Sequence, residues 1–448
     1  MAPPNRDGRG AQRSGDCGVP ARDARRGGAC CHGYVGEVKE PRAWDLVVVG
    51  AGPAGAAAAL GALDAVPGLR VLLVDRADFP RDKCCGDGIA PNVLDVLRGV
   101  GAGDVADGWQ PLYRLELARG EHEVVGRLAR PVWVIPRAVF DARLVERAVA
   151  AGAVLRRHRV STLRCEGARV VIDGSLETRV VIGADGAYSA VRSSLGVPGH
   201  GPRALAIRGY TPTPEARRGR QVIRYGDRRQ PSYGWAFDRG DGLSNVGYGE
   251  LVDRGRGDAA PTRALLLEQL DRLVPGAVAD GTDWRGHHLP LSGWRWHQPD
   301  GAVLLAGDAA GLVNPMTGEG IYYAVATGVL AGGTAARAVA AGTPTAAGAA
   351  HRSDVRRLLG RHLKHTWIAS RLSRRPAVVD AGIRAAGRSQ RIFDNLVEIG
   401  LGDGRITPRL TSGLATGLAT GLASDVVSGL VSGMASYHVH PTPPDARR

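Results

Sequence analysis

Hydrophobic positions follow three spacings along the chain. Short unbroken apolar runs come first: Leu46–Val49, Val71–Val74, Val180–Ile182 and Val303–Leu305 hold only Val, Leu or Ile, the pattern of parallel strands buried on both faces. Between the first two, Ala-rich residues 56–63 predict a helix, and Phe140, Leu144 and Ala148 mark one face of another that opens at Arg137. Alternation comes second. Tyr233, Trp235 and Phe237 share one face of a strand, and a turn at 238–242 leads into 245–248 to complete a hairpin. A four-residue spacing comes last, with Val355, Leu359, Leu363 and Trp367 among basic residues. Leu410, Leu414, Leu418, Leu422 and Leu430 then interleave with Gly413, Gly417, Gly421, Gly429 and Gly433. This small-residue repeat packs against another helix or lies on a membrane; Asp425 and frequent Ser and Thr argue against a span.

The first 42 residues show none of these spacings. They contain no Leu, Ile, Phe or Trp, carry seven Arg and eight Gly, and lack the apolar segment of a secretory signal, so they read as a disordered basic tail. With no Met between Met1 and Met316, a non-native start for this tail stays open.

The first apolar run ends in Gly50-Ala51-Gly52-Pro53-Ala54-Gly55, a G-x-G-x-x-G between strand and helix, and the next strand ends in Asp75-Arg76. Gly50 permits the tight turn, Gly52 lets backbone approach a pyrophosphate, and Gly55 lets helix and strand pack. The helix N-terminus adds N–H groups and a positive dipole, and Asp75 accepts ribose hydroxyls. Two later strand ends also carry an acid, Asp185-Gly186 and Gly307-Asp308, and in a doubly wound sheet such ends meet at the ligand crevice. Asp308 suits a polyol chain. Gly318-Glu319-Gly320-Ile321 opens a helix whose N–H groups can carry negative charge on a reduced isoalloxazine.

Formal net charge is +14, and of 58 cationic residues only Lys39, Lys83 and Lys364 are lysine. Nucleic acid is not the expected partner: aromatics make up 5% of the chain, and neither interleaved aromatics nor a reading motif accompanies the arginines. Residues 351–391 carry ten Arg and one Lys against Asp354 and Asp380. They either face an anionic membrane or a phosphate, or form a solvated helical surface. Six cysteines include the pairs Cys30-Cys31 and Cys84-Cys85 but no C-x-x-C and no C-x4-C, so no metal site and no disulfide reductase are expected, and reduced thiols fit a cytoplasmic chain. Cys30, Cys31 and His32 read as incidental. His287 and His288 read as loop residues without a role.

The segments Gly50 to Gly55, Asp185-Gly186 and Gly307-Asp308 resemble the FAD fingerprints of the para-hydroxybenzoate hydroxylase superfamily of flavoproteins, over about residues 43–345. Within it, Pro80-Arg81-Asp82-Lys83-Cys84-Cys85-Gly86-Asp87-Gly88-Ile89-Ala90-Pro91 resembles the P-x-x-K-x-C-G-x-G-x-x-P segment of the geranylgeranyl reductase family, and Tyr233-Gly234-Trp235-Ala236-Phe237 is similar to its Y-x-W-x-F element, which lines the prenyl pocket. That family usually has Pro after the Phe and another three before the Tyr. Here Asp238 follows and Pro231 sits two before. The resemblance implies FAD contacts at Ala54, Asp75, Cys85, Gly86, Gly88, Arg137, Asp308, Gly320 and Ile321. With the fingerprints themselves, the candidate cofactor set also takes in Gly50, Gly52, Pro53, Gly55, Arg76, Asp185, Gly186, Gly307 and Gly318. Arg137 either reaches the flavin chain or lies on the surface; Lys83 either pairs with a substrate phosphate or the flavin, or is an exposed loop lysine.

The expected fold is α/β: a Rossmann-like FAD-binding domain within 43–345, assembled from about 43–110, 131–195 and 300–345. An antiparallel β substrate domain is inserted at about 111–130 and 196–299, and 346–448 form a helical C-terminal region. A flavin-dependent reductase of C=C bonds needs a dry apolar pocket and a proton source. Tyr233, Trp235 and Phe237 are the candidate wall, with core packing as the other source of the same alternation. Catalytic candidates are Cys85, as acid or relay if its thiol titrates near neutrality, then Tyr233 and Trp235; a purely structural Cys-Gly turn is the alternative for Cys85. No second G-x-G-x-x-G occurs in a strand–helix context, so NAD(P)H or another electron donor is expected to bind transiently. Tyr233 to Asp238 do not match the W-x-W-x-I-P segment that the resemblance associates with flavin halogenases. The favoured expectation is FAD-dependent saturation of isoprenoid double bonds in a hydrophobic substrate by a cytoplasmic protein, with peripheral contact through 351–435 on the inner face of a membrane as an alternative to a solvated surface there. An FAD monooxygenase acting on an aromatic or polyketide-like compound, and a flavin-holding module without turnover, are the alternatives. Nothing in the sequence encodes the oligomeric state.

Overall fold

A computed structural model of the chain describes residues 44–198, 203–252 and 261–420. The basic tail at 1–42 and the part of the Gly and Leu repeat beyond 420 lie outside the described residues. In chain order the strands are β1 (Trp44–Val49), β2 (Val71–Asp75), β3 (Gly88–Ile89), β4 (Leu112–Arg119), β5 (His122–Val134), β6 (Val154–Arg157), β7 (Leu163–Glu166), β8 (Arg169–Ile172), β9 (Leu176–Gly183), β10 (Arg203–Pro212), β11 (Arg220–Tyr225), β12 (Tyr233–Asp238), β13 (Leu243–Val252), β14 (Thr282–Pro290) and β15 (Val303–Leu305). The helices are α1 (Pro53–Ala65), α2 (Pro91–Arg98), α3 (Arg137–Ala150), α4 (Ala190–Ser194), α5 (Arg263–Leu273), α6 (Ile321–Ala340), α7 (Ala347–Leu372), α8 (Pro376–Arg388) and α9 (Gln390–Leu401).

The unbroken apolar runs become the centre of the first sheet, ordered β6-β2-β1-β9-β8-β7, with β15 against the C-terminal half of β9. Pairings among β6, β2, β1, β9 and β15 are parallel, and β7 and β8 extend the sheet as an antiparallel hairpin. Leu46, Val47, Val48, Val180, Val181, Ile182 and Leu304 are fully buried, as expected for parallel strands covered on both faces. Helices α1 and α6 cover this sheet in parallel contact, close enough that backbones touch. A Cβ on Gly328 would lie 2.2 Å from the Ala54 carbonyl oxygen, and one on Gly332 would lie 1.9 Å from that of Ala58. The register 54 to 328 and 58 to 332 sets both N-termini at the same end, where the strands of the sheet finish.

The second sheet has the order β14-β10-β13-β12-β11-β4-β5-β3. Its pairings are antiparallel except β11 with β4. That parallel pair departs from the purely antiparallel expectation for a topological reason: between β4 and β11 the chain passes through strands of the first sheet, which supplies the long crossover that parallel neighbours need. The sheet also takes in Gly88–Ile89 and runs on to Val134. The β12–β13 hairpin forms as the alternation predicts, with Trp235 opposite Gly247. His287 and His288 correct the loop expectation: they lie on β14, opposite Ala206 and Leu205 of β10. No apolar alternation in Thr282–Pro290 signals that strand.

In α7 the four-residue stripe is committed to the interior. Val355, Leu359 and Leu363 pack into the core of the first sheet, whereas Arg356, Arg357 and Arg361 are exposed. Helix α8 places Val379, Ile383 and Ala386 on the second sheet with Leu115 and Val124. The helical residues 408–420 turn their small positions inward: a Cβ on Gly413 would meet Ile392 Cδ1 at 2.4 Å, and one on Gly417 the Ala381 carbonyl oxygen at 2.7 Å. The described part of the repeat therefore packs on helices. No helix among the described residues is long and apolar enough to cross a membrane.

Because α1 and α6 meet backbone to backbone, Gly332→Val must force them apart. Overpacking of this kind costs roughly 1–3 kcal/mol, and thermal unfolding is expected to show a lowered Tm; an unchanged Tm would contradict the close crossing.

Candidate functional site

The turn after β1 forms where only glycine fits. Gly50 has φ +96°, and a Cβ there would lie 2.4 Å from the Ala184 carbonyl oxygen; on Gly55 it would lie 1.7 Å from that of Gly50. Asp75 at the end of β2 fastens this loop, its Oδ2 accepting from the Ala51 N–H at 2.8 Å and its Oδ1 from the Ala77 N–H at 3.0 Å. The space over Gly52 faces two guanidinium groups, with Arg81 Nη2 3.4 Å and Arg137 Nη2 4.0 Å from the position of a Cβ. Arg137 is 4% exposed, so it is not a surface residue. It donates from Nε and Nη2 to the two oxygens of Asp141 at 2.6 and 2.8 Å, and Arg81 donates to the same carboxylate at 3.1 Å. Burial opposes the Arg137 charge, but Asp141 and Cys85 together hold its pKa above the ordinary range. Two fixed cations, a glycine loop and a helix N-terminus in one cradle fit the diphosphate of a dinucleotide.

This cradle opens into a cavity of about 1100 Å³. Of the candidate cofactor residues, Gly50, Gly52, Pro53, Ala54, Asp75, Arg76, Cys85, Gly86, Gly88, Arg137, Asp185, Gly186, Asp308, Gly318, Gly320 and Ile321 line it. Gly55 and Gly307 do not. Both serve packing, a Cβ on Gly307 lying 3.2 Å from Ala54 and Ala324. Asp185 is spent on capping: its oxygens accept from Ser189 Oγ at 2.5 Å and from the Ala190 N–H at 2.7 Å, at the start of α4. Lys83 is paired, its Nζ 3.3 Å from Asp308 Oδ2. His287 also lines the cavity; burial, then Lys83, pushes its imidazole down to about 4, and Nε2 is buried without a hydrogen-bond partner.

A polar network that sequence reasoning missed bolts the Cys85 loop to the second sheet. Asn245 on β13 donates from Nδ2 to the Cys85 carbonyl at 2.9 Å and to Asp87 Oδ2 at 2.8 Å, and its Oδ1 accepts from Trp235 Nε1 at 2.8 Å. Tyr210 on β10 donates its hydroxyl to Asp87 at 2.6 Å, and fully buried Arg208 donates to Asp82 at 2.7 Å and to the Lys83 carbonyl at 3.1 Å. Asp87 has φ +59°, a left-handed conformation that Asp tolerates better than most residues. One clue was legible: Asp87 sits in the same segment as Cys85. Its partners, more than a hundred residues away, carry no local signal.

Beyond this loop the three aromatics form a wall. Tyr233, Trp235 and Phe237 all line the cavity, with ring centroids 5.9 Å apart for the first pair and 6.4 Å for the second. The wall lies against the loop at Gly86, where a Cβ would stand 3.5 Å from Phe237 Cε2, in ordinary van der Waals contact. Tyr233 donates its hydroxyl to the Thr317 carbonyl. Past the wall the lining turns apolar, through Leu115, Leu117 and Ile223 to Val379, Ile383, Leu396, Val397, Leu410 and Leu414. Cys85 is not poised near neutrality. Burial pushes its thiol up, Arg137 recovering only part of the shift. Burial likewise pushes Tyr233 up. Cys84 is pushed up to about 12 by burial, and its thiol donates to the Arg285 carbonyl at 3.1 Å.

Two outcomes follow from the buried charges. Removing the Arg137 cation by Arg137→Gln is expected to weaken FAD binding about tenfold or more, the scale of a charge-assisted hydrogen bond, and fluorescence titration reads it; unchanged affinity would contradict the cradle. Burial raises the Asp87 carboxyl from 3.8 to about 6 against the pull of Tyr210, Arg208 and Asn245. The folded state then holds this proton more tightly than the unfolded one. Stability is lost as pH climbs between those values, and the penalty is complete above them. Asp87→Asn does not titrate, so its stability relative to wild type is expected to rise by on the order of 2 kcal/mol between pH 4 and pH 8. Urea unfolding at both pH values checks this; a pH-independent difference would contradict it.

Comparison with known proteins agrees with this architecture. A family model described as an FAD binding domain matches residues 43–215. The menaquinone reductase of Mycolicibacterium smegmatis is 34% identical over 309 residues, covering 64% of this chain and 75% of that protein. Digeranylgeranylglycerophospholipid reductase 1 of Methanopyrus kandleri is 34% identical over 329 residues, covering 66% of this chain and 81% of that protein. Among solved structures, a geranylgeranyl bacteriochlorophyll reductase-like protein of Thermoplasma acidophilum shares the fold, with a TM-score of 0.69 and 17% identity over 86% of this chain and 99% of that one. With the glycine cradle, the Cys85 loop and the aromatic wall joined in one cavity, and relatives of this similarity matched over most of their length, the chain belongs to the geranylgeranyl reductase family of FAD-dependent oxidoreductases.

Proposed function

We propose that the protein saturates carbon–carbon double bonds of a prenyl chain. The observation that carries this reading is the continuity of one cavity from the cationic cradle, past the aromatic wall, into the apolar arm that ends among α8, α9 and residues 408–420. Such an arm accepts hydrocarbon and excludes water, which a hydride transfer requires. Menaquinone and the digeranylgeranyl glycerophospholipids, named for the two relatives, share a prenyl chain and differ in head group. Bound FAD supplies the two-electron chemistry by giving up hydride from its reduced ring. Arg137 and Arg81 would hold its diphosphate, Lys83 and Asp308 would stand beside its polyol chain, and Tyr233, Trp235 and Phe237 would press the prenyl chain toward the ring. In this reading the first sheet with α1, α3 and α6 is the FAD-binding domain and the second sheet the substrate domain. Electrons come from NAD(P)H or another donor that binds transiently.

Prenyl lipids reside in membranes, so the same reading puts the protein in peripheral contact with the inner face of one. Leu372, exposed and part of the apolar lining, supports this, with exposed Arg371, Arg374 and Arg375 beside it at the α7–α8 turn. Trp294 is also exposed, 6.4 Å from the ring of Trp367.

Chemically reduced, FAD-loaded protein incubated with prenyl lipids without oxygen is expected to yield products heavier by two hydrogens per bond reduced, read by mass spectrometry. A product gaining one oxygen atom only in air would overturn the reductase in favour of a monooxygenase. Flotation with anionic liposomes is expected to carry the wild type and to fail for the charge-reversed Arg371→Glu, Arg375→Glu double variant; wild-type protein left in the soluble fraction would contradict membrane contact.

A further inference from the structure

Glu319 stands between the cradle and the aromatic wall, and no role above uses it. Its Oε1 accepts from the N–H groups of Ile321 at 2.7 Å and Tyr322 at 3.0 Å. A carboxyl therefore caps the helix whose terminus was expected to serve the reduced ring, and it lines the cavity alongside Cys85 and Tyr233.

Titratable and charged groups face it from each neighbouring element: Arg137 from α3, Asp308 from the turn after β15, Cys85 from the loop before β3, Tyr233 from β12 and Tyr323 from α6 itself. Arg137 is the sole cation among them, and Asp141 already holds it in two hydrogen bonds. Burial pushes the Glu319 carboxyl up to about 7, with the two N–H donors and Arg137 limiting the rise. Cys85 and Tyr233, the other hydroxyl or thiol donors on this part of the lining, are held further toward their protonated forms.

A reduced isoalloxazine at this terminus adds a second negative charge beside amides that already serve a carboxylate. Like charges in one poorly solvated site disfavour each other, so the carboxylate gains affinity for a proton as the ring gains electrons. We propose that Glu319 takes up a proton when the cofactor is reduced and delivers it to the substrate, acting as the general acid of the reaction. The substrate half of this assignment rests on the prenyl reading; the proton uptake does not. The step balances. A nicotinamide-class donor reduces the ring, and Glu319 takes a proton from solvent. Hydride then passes to one carbon of the double bond while its π bond breaks, and the Glu319 O–H proton passes to the other carbon. Two C–H bonds form, and the ring returns oxidised with Glu319 as carboxylate.

The test counts protons on FAD-loaded protein without substrate. During electrochemical reduction at pH 8 in weak buffer with an indicator dye, the wild type is expected to take up about one proton more per FAD than Glu319→Gln. Gln keeps an oxygen acceptor for the α6 N–H groups, so the flavin absorbance of the loaded variant serves as fold control, and Glu319→Ala repeats the count. Equal uptake by wild type and both variants would overturn the proposal and leave the prenyl reading untouched. With reduced enzyme and a prenyl lipid, Glu319→Gln is expected to lose about 100-fold or more in hydrogenation rate, the scale of general-acid catalysis, while Cys85→Ala and Tyr233→Phe lose less. A wild-type rate in Glu319→Gln would also overturn it. Absence of product from the wild type itself, with the extra proton still counted, would contradict the substrate reading alone.

Discussion

The site depends on the contact of α1 with α6. Two helices approach until a Cβ on Gly328 or Gly332 would overlap a carbonyl of the partner, and they run parallel, so both N-termini arrive at the same edge of the sheet. One terminus, behind Gly50 to Gly55, opens on the cavity; the other, at Gly320-Ile321, holds the carboxyl of Glu319. Larger residues at the crossing would part the two termini, and with them the two parts of the cavity lining they supply. Packing therefore sets where positive potential falls.

A second constraint joins the sheets. The loop from Asp82 to Asp87 leaves the first sheet and is gripped by Arg208, Tyr210 and Asn245 of the second. Asn245 also holds Trp235, so one side chain sets both the thiol loop and the centre of the aromatic wall. The network is buried and nearly satisfied, with Asp87 Oδ1 its unpaired oxygen, which gives it rigidity at the cost of a raised carboxyl pKa. Polar groups thus fix the boundary of the cavity, and apolar ones fill the arm beyond it.

The fold was legible where local rules decide it. Four apolar runs, a glycine motif and a two-residue alternation reported strands, cradle and hairpin, because those patterns reflect burial and φ limits that act within a few residues. What depended on distant partners was silent. Neither the parallel β4–β11 pair nor the placement of His287 on a strand leaves a mark in its own segment. Asn245 and Arg208 look like ordinary strand residues until Cys85 and Asp87 arrive beside them. The acid–base reading needed the structure most. Cys85 qualified as an acid only if its thiol titrated near neutrality, yet burial raises it, and Glu319, which passed as a member of a glycine-rich turn, emerged as a carboxyl lining the cavity. Ionisation follows solvation and neighbours in three dimensions.

Prenyl reduction requires that electrons held by this protein go to an isolated double bond. Its most direct measurement is recovery of the oxidised-flavin absorbance when pre-reduced, FAD-loaded protein meets a quinone-free prenyl lipid under strict anaerobiosis. The band is expected to return with the unsaturated lipid and not with its fully saturated counterpart. A band that stays bleached with both until oxygen is admitted would contradict it.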